Sequence, residues 1–263
     1  MSTWIAVILL GIVEGITEFL PISSTGHLLI AEHWLGLKQS DLFNVVIQSG
    51  AVLAVLPLFP ERLRQFAFQW RERDTQIYAG KILLAFFITG VGGLIMKKLG
   101  LKLPERLAPV AWALFIGGVG FLGVESWLKG KKVGNNVTWS IAVAVGLGQL
   151  LAAGFPGTSR SGATILIALV LGLARVPATE FTFLVGIPTM LAAGTLETYK
   201  AIKVAGIHSE KWSMVLLGFA VSAVVSFLAV KWLLRYIQTH TFVVFGWYRI
   251  GLAIVIGVVL LTH

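Results

Sequence analysis

Two stretches carry residue types that can do chemistry. They are "EGITEFLPISSTGH", residues 14–27, and "PGTSRSG", residues 156–162. Glu14 and Glu18 stand four apart, on one face of a helix. Carboxylates so placed inside an apolar run either share a proton or hold a divalent cation between them. Pro21 then breaks the run, and Ser23, Ser24, Thr25, Gly26 and His27 follow. The second stretch sets Thr158, Ser159 and Ser161 around Arg160. Hydroxyl- and glycine-rich helix starts are anion sites, because their first amides lack carbonyl partners. A guanidinium adds a rigid fork that matches phosphate. Acid pair, hydroxyl, histidine, arginine and anion nest together predict hydrolysis of a phosphate ester or phosphoanhydride.

Simpler readings compete for each part. The hydroxyls are also good N-caps, and Arg160 has an obvious salt-bridge partner in Glu14 or Glu18, a pairing that can coexist with phosphate binding. Glu125, Glu180, Glu197 and Arg249 lie at or inside the ends of apolar runs and read as structural pairs. His33, His208, His240 and His263 fall at connectors or the end of the chain, with no partner set.

The elements that must position these residues are membrane helices. Of 263 residues 57% are hydrophobic and 13% charged, with a mean hydropathy of +0.87. That is about half the charge of an average soluble domain. Six stretches are long enough to cross a bilayer: about 40–59, 78–98, 107–127, 181–200, 212–234 and 242–262. Tryptophans such as Trp34, Trp70, Trp127, Trp139 and Trp212 sit near the ends of apolar runs, as in an interfacial belt. No cysteine is present, which removes thiolate and disulfide chemistry. The net charge of +9 is scattered through short loops and suits lipid headgroups, not nucleic acid. The amino-terminal run lacks a basic flank and a cleavage site, so it does not read as a removable signal.

Residues 3–36 and 138–174 break the pattern. Each has two short apolar arms around a polar break, tolerated at membrane depth only where it is buried in protein or lines a cavity. Both predict re-entrant helical hairpins. They also align, with Pro21 on Pro156, Ser24 on Ser159 and, after one inserted residue, Gly26 on Gly162. "DLFNVVIQSGAVLAV" then lies over "TEFTFLVGIPTMLAA". The expected fold is therefore an all-α polytopic membrane protein, a single domain over 1–263. It is built from an inverted repeat, about 1–130 and 136–263, each copy a hairpin plus three spans. Cations on the two faces, Lys38 and Lys102 among them, are even in number and give only a lean toward both termini outside.

The two motifs, with "TEFTFL" and the "YRI" of the last span, resemble those of the bacterial undecaprenyl pyrophosphate phosphatase family, associated with bacitracin resistance. The likeness covers the whole chain. It implies removal of the terminal phosphate from a C55 polyprenyl pyrophosphate, recycling the carrier for peptidoglycan and other cell-wall polymers. It also implies a divalent cation, Mg2+ or Ca2+, and a place in the cytoplasmic membrane with the site on the outer face. The family's motif residues fall on Glu14, Glu18, Ser23, Ser24, Thr25, His27, Ser159, Arg160 and Ser161. Thr158 and Gly26 complete the phosphate-binding tips.

From the spacings, Ser24 is the expected nucleophile, with His27 relaying its proton and Glu18 orienting His27 or holding the cation. Glu14 would complete the metal site, and attack by His27 itself is the variant. Besides the lipid substrate and membrane lipids, a homodimer is allowed for. The rival reading is an inverted-repeat transporter or flippase for an anionic substrate, which needs an anion site but no nucleophile. A type-2 phosphatidic-acid phosphatase is set aside, because no histidine follows the Ser159–Arg160 motif at the expected distance.

Overall fold

The computed structural model describes residues 3–36, 39–101, 106–206 and 211–262. Lys38, Lys102, His208 and His263 lie outside the described residues. Every regular element described is helical. In chain order these are α1 (Thr3–Thr17), α2 (Ser24–Leu35), α3 (Asp41–Val55) and α4 (Pro60–Phe68), followed by α5 (Arg73–Lys98) and α6 (Leu107–Leu128). The second half holds α7 (Trp139–Gly154), α8 (Arg160–Val170), α9 (Arg175–Ala205), α10 (Trp212–Thr239) and α11 (Val243–Thr262).

Among the described residues six helices are long and apolar enough to cross a membrane: Asp41–Leu58, Arg73–Lys98, Leu107–Leu128, Arg175–Val204, Trp212–Thr239 and Val243–Leu261. These are the six expected spans, with ends moved by a few residues. α9 starts earlier than hydropathy suggested, because Arg175 and Glu180 find ion partners in Glu125 and Arg62. The connector after α3 is not plain loop. Pro60 takes the first helical position, where its missing N–H costs nothing, and starts the amphipathic α4.

The helices that flank the two polar breaks are short. At 1.5 Å per residue α1, α2, α7 and α8 reach about 22, 18, 24 and 16 Å, against about 30 Å of hydrocarbon. α1 packs on α2 and α10, and α7 on α8 and α5. Small residues make the close approaches. A Cβ built on Gly11 would lie 3.0 Å from the Gly218 carbonyl of α10, and one on Gly146 3.0 Å from the Ala85 carbonyl of α5. α6 and α11 cross where Gly118 meets Gly246, each facing the other's carbonyl oxygen. Phe19, Leu20 and Ile22, between α1 and α2, are buried in the main apolar core with residues of α3, α7, α8 and α9.

Three glutamates, Glu125, Glu180 and Glu197, anchor the span ends through ion pairs, as expected. Glu125 takes a two-pronged contact from Arg175 and also accepts the Phe242 amide at 2.9 Å, tying α6, α9 and the start of α11 together. Arg62 reaches Glu180 at 2.5 Å. Lys97 and Lys200 share Glu197 at 3.0 and 3.1 Å. Arg249 does not belong with them. It is fully buried, and among the described residues it meets no carboxylate.

Candidate active site

Both tips are built on one local device. Ser23 and Ser159 are the only non-glycine residues described with positive φ, at 76° and 66°. Each is the N-cap of the helix that follows. Ser23 Oγ accepts the Gly26 amide at 3.3 Å, and Ser159 Oγ accepts the Gly162 amide at 3.2 Å. A left-handed serine costs about 1–2 kcal/mol, so the surrounding packing must hold it there. The match corrects the register inferred from sequence: Ser23, not Ser24, is the counterpart of Ser159. The inserted residue precedes it, and Ser24 is the counterpart of Arg160.

Those two counterparts meet on one carboxylate. Ser24 Oγ donates to Glu18 Oε2 at 2.6 Å, and the Arg160 guanidinium binds Glu18 Oε1. Gln48 of α3, which the motif reading did not single out, donates to Oε2 at 3.2 Å. Glu18 is buried, and its charge is held by a guanidinium from the other half of the chain. Ser161 Oγ donates to the Leu20 carbonyl at 3.3 Å and lies 3.2 Å from Ser159 Oγ, which stitches the second tip to the first. The two polar breaks, 135 residues apart in sequence, are thus one site.

Not every expected residue takes its expected contact. His27 makes its ring hydrogen bonds elsewhere than Ser24. Its Nδ1 is 2.7 Å from the Ser23 carbonyl, which can only accept, so Nδ1 carries the proton. Nε2 then accepts the Tyr248 hydroxyl at 2.7 Å, and the two rings lie nearly parallel. Thr158 turns its hydroxyl back to the Phe155 carbonyl at 2.7 Å. Gly26 and Gly162 spend their amides on the caps. The first-turn amides of Ser24, Thr25, Arg160 and Ser161 are the ones a helix start leaves for an anion. Glu14 is 1% exposed, and among the described residues its Oε2 has no hydrogen-bond partner. Gly15, beside Glu14, lies close against α10: a Cβ there would lie 2.7 Å from the Ser222 carbonyl.

Tyr248 was legible only as part of "YRI", and Arg249 there and as a structural ion-pair member. Arg249 binds five carbonyls: Pro21 in the first tip, Gly157 and Thr158 in the second, and Ala113 and Leu114 in α6, at 3.0–3.4 Å.

A helical membrane protein that gathers its polar chemistry between two broken apolar segments is the class this geometry defines. Residues 7–255 match the family model described as bacitracin resistance protein BacA, and the chain belongs to that family. It is 51% identical over 255 residues to the undecaprenyl-diphosphatase of Rhizobium etli (strain CIAT 652), covering 96% of this chain and 94% of that protein. The undecaprenyl-diphosphatase of Xanthomonas oryzae pv. oryzae (strain PXO99A) is 51% identical over 253 residues, covering 96% and 95%. That of Xylella fastidiosa (strain 9a5c) is 50% identical over 256 residues, covering 97% and 96%.

Proposed function

We propose that this chain hydrolyses undecaprenyl pyrophosphate to undecaprenyl phosphate and inorganic phosphate, with Ser24 as nucleophile and Glu18 as its base. Family membership and the relatives' names support the reaction. The observation that carries the assignment is the 2.6 Å contact from Ser24 Oγ to a carboxylate already paired with Arg160. Ser24 Oγ attacks the terminal phosphorus as the bridging P–O bond breaks, and polyprenyl monophosphate leaves. The serine proton passes to Glu18. That removes the charge holding Arg160, which turns to the oxygens of the transferred phosphoryl group with the first-turn amides of both tips. Water then attacks the phosphoserine, Glu18 returns the proton to Oγ, and inorganic phosphate is released.

Glu14 and Glu18 suit a divalent cation, Mg2+ or Ca2+, because both offer hard oxygen donors and Glu14 Oε2 is buried with no partner among the described residues. Among the described residues no group of three or more His, Asp or Glu side chains converges, so substrate oxygens and water would supply the other ligands. Bound there, the ion would offset diphosphate charge. His27 supports the first tip through the Ser23 carbonyl and Tyr248. Both its ring nitrogens are engaged, which favours Ser24 over His27 as nucleophile. The short helices and their reciprocal partners, α1 on α10 and α7 on α5, support two re-entrant hairpins in an inverted duplication of about 1–130 and 136–263. We place the chain in the bacterial cytoplasmic membrane with the site reached from the outer side.

The test is phosphate release from polyprenyl pyrophosphate by purified protein in detergent, with and without chelator. A transporter lacking the Ser24–Glu18 chemistry would release none. Quenching during turnover should trap phosphate on Ser24; label on His27 overturns the nucleophile assignment.

A further inference from the structure

We infer that Arg249 is a positioning residue for this reaction: its guanidinium brackets the two tips and so sets the distance between Ser24, Glu18 and Arg160. The inference rests on the reading of the site given above.

Its contacts define the role. Nη1 donates to the Pro21 carbonyl at 3.2 Å, just ahead of the strained Ser23. Nη2 donates to the Thr158 carbonyl at 3.0 Å, with Gly157 at 3.4 Å, just ahead of the strained Ser159. Nη2 and Nε also hold Ala113 and Leu114 at 3.0 and 3.4 Å, which fixes the bracket to α6. One rigid, planar group thus spans both turns at the residues that launch α2 and α8. A lysine could not do so, since its three donors radiate from a single point.

Charge bookkeeping argues against a purely stabilising role. Burying an ion is costly, and an apolar side chain of similar volume is often as stable as a buried ion pair. Arg249 lacks even a counter-ion among the described residues; carbonyl dipoles alone hold it. The backbone around it is cleared for the purpose. A Cβ on Gly117 of α6 would collide with the guanidinium, and one on Gly162 would lie 3.0 Å from Nη1. The neighbouring Tyr248 caps His27, so consecutive residues of α11 support the backbone of the first tip by two routes.

Positioning predicts a particular kinetic pattern, because misplacing reacting groups by about 1 Å costs about 100-fold in rate. R249M and R249K, purified in detergent, should both lose about that factor in kcat, with KM for polyprenyl pyrophosphate nearly unchanged. Hydrogen exchange should accelerate in peptides covering 19–26 and 156–163 and stay unchanged in α5 and α10. Turnover near that of the parent in R249K, or a loss confined to KM, overturns the bracket. So does exchange that rises throughout the molecule. If R249M does not accumulate, G117A keeps the charge and displaces the guanidinium; it should lower kcat in the same sense, and unchanged kcat refutes the role. Because every variant keeps Ser24, trapped phosphate should still map to Ser24 in residual turnover. Label elsewhere would instead defeat the reading of the site.

Discussion

At the two serine caps, side chain and backbone pull in opposite directions. Ser23 gains a hydrogen bond to Gly26 and pays for it with a left-handed φ of 76°. Alanine would keep the strain and lose the cap, whereas glycine would relieve the strain and cap nearly as well. S23G should therefore be more stable than S23A by about 1–2 kcal/mol, read as the difference in unfolding midpoint in mild detergent. The reverse order would mean that the hydroxyl, not the backbone, dominates this turn. Beside it, E18Q keeps the acceptor for Ser24 but cannot take its proton. Turnover should fall by about 10²–10⁴ while the protein stays folded by size-exclusion profile. The acids, hydroxyls and Arg160 were legible because such residues are expensive in an apolar run. Arg249 was equally expensive but was misread as an ion-pair member. Its acceptors are backbone carbonyls, which every residue has and no sequence pattern marks, one of them 228 positions away.

Among the elements, the spans could be read directly from apolar length, since backbone satisfaction in lipid leaves few alternatives to a helix. α4 was missed because its nine residues carry charges at a spacing that also reads as loop. The tip register was missed by one residue, because a serine beside a serine gives no alignment signal and only φ distinguishes them. Re-entry makes its own prediction. The parent has no cysteine, so single substitutions report topology cleanly. T3C and G36C should react with a membrane-impermeant maleimide from the same side of sealed vesicles, and Q69C from the other. Labelling of T3C and G36C from opposite sides would turn α1–α2 into a crossing segment.

Over the whole molecule, stability and chemistry draw on separate ion pairs. Glu125 is buried and serves Arg175 and the Phe242 amide together, so R175A should strand it and cost about 3 kcal/mol. Lys97 and Glu197 are half-exposed, and K97A should cost less than about 1 kcal/mol. Comparing the two unfolding midpoints in detergent checks the ranking, and near-equal losses would refute it. The tips, by contrast, are related as scaffold and different in content. The first offers Ser24 and is fed by Glu14 and Glu18; at the matching place the second offers Arg160, with Gln149 and Ala153 where the acids would be. A diphosphate has two unlike phosphorus atoms, one esterified and one free. A cradle with hydroxyl and acid on one wall and cation on the other can seat that pair in a single sense, so handedness of this kind would choose which of the two is cut.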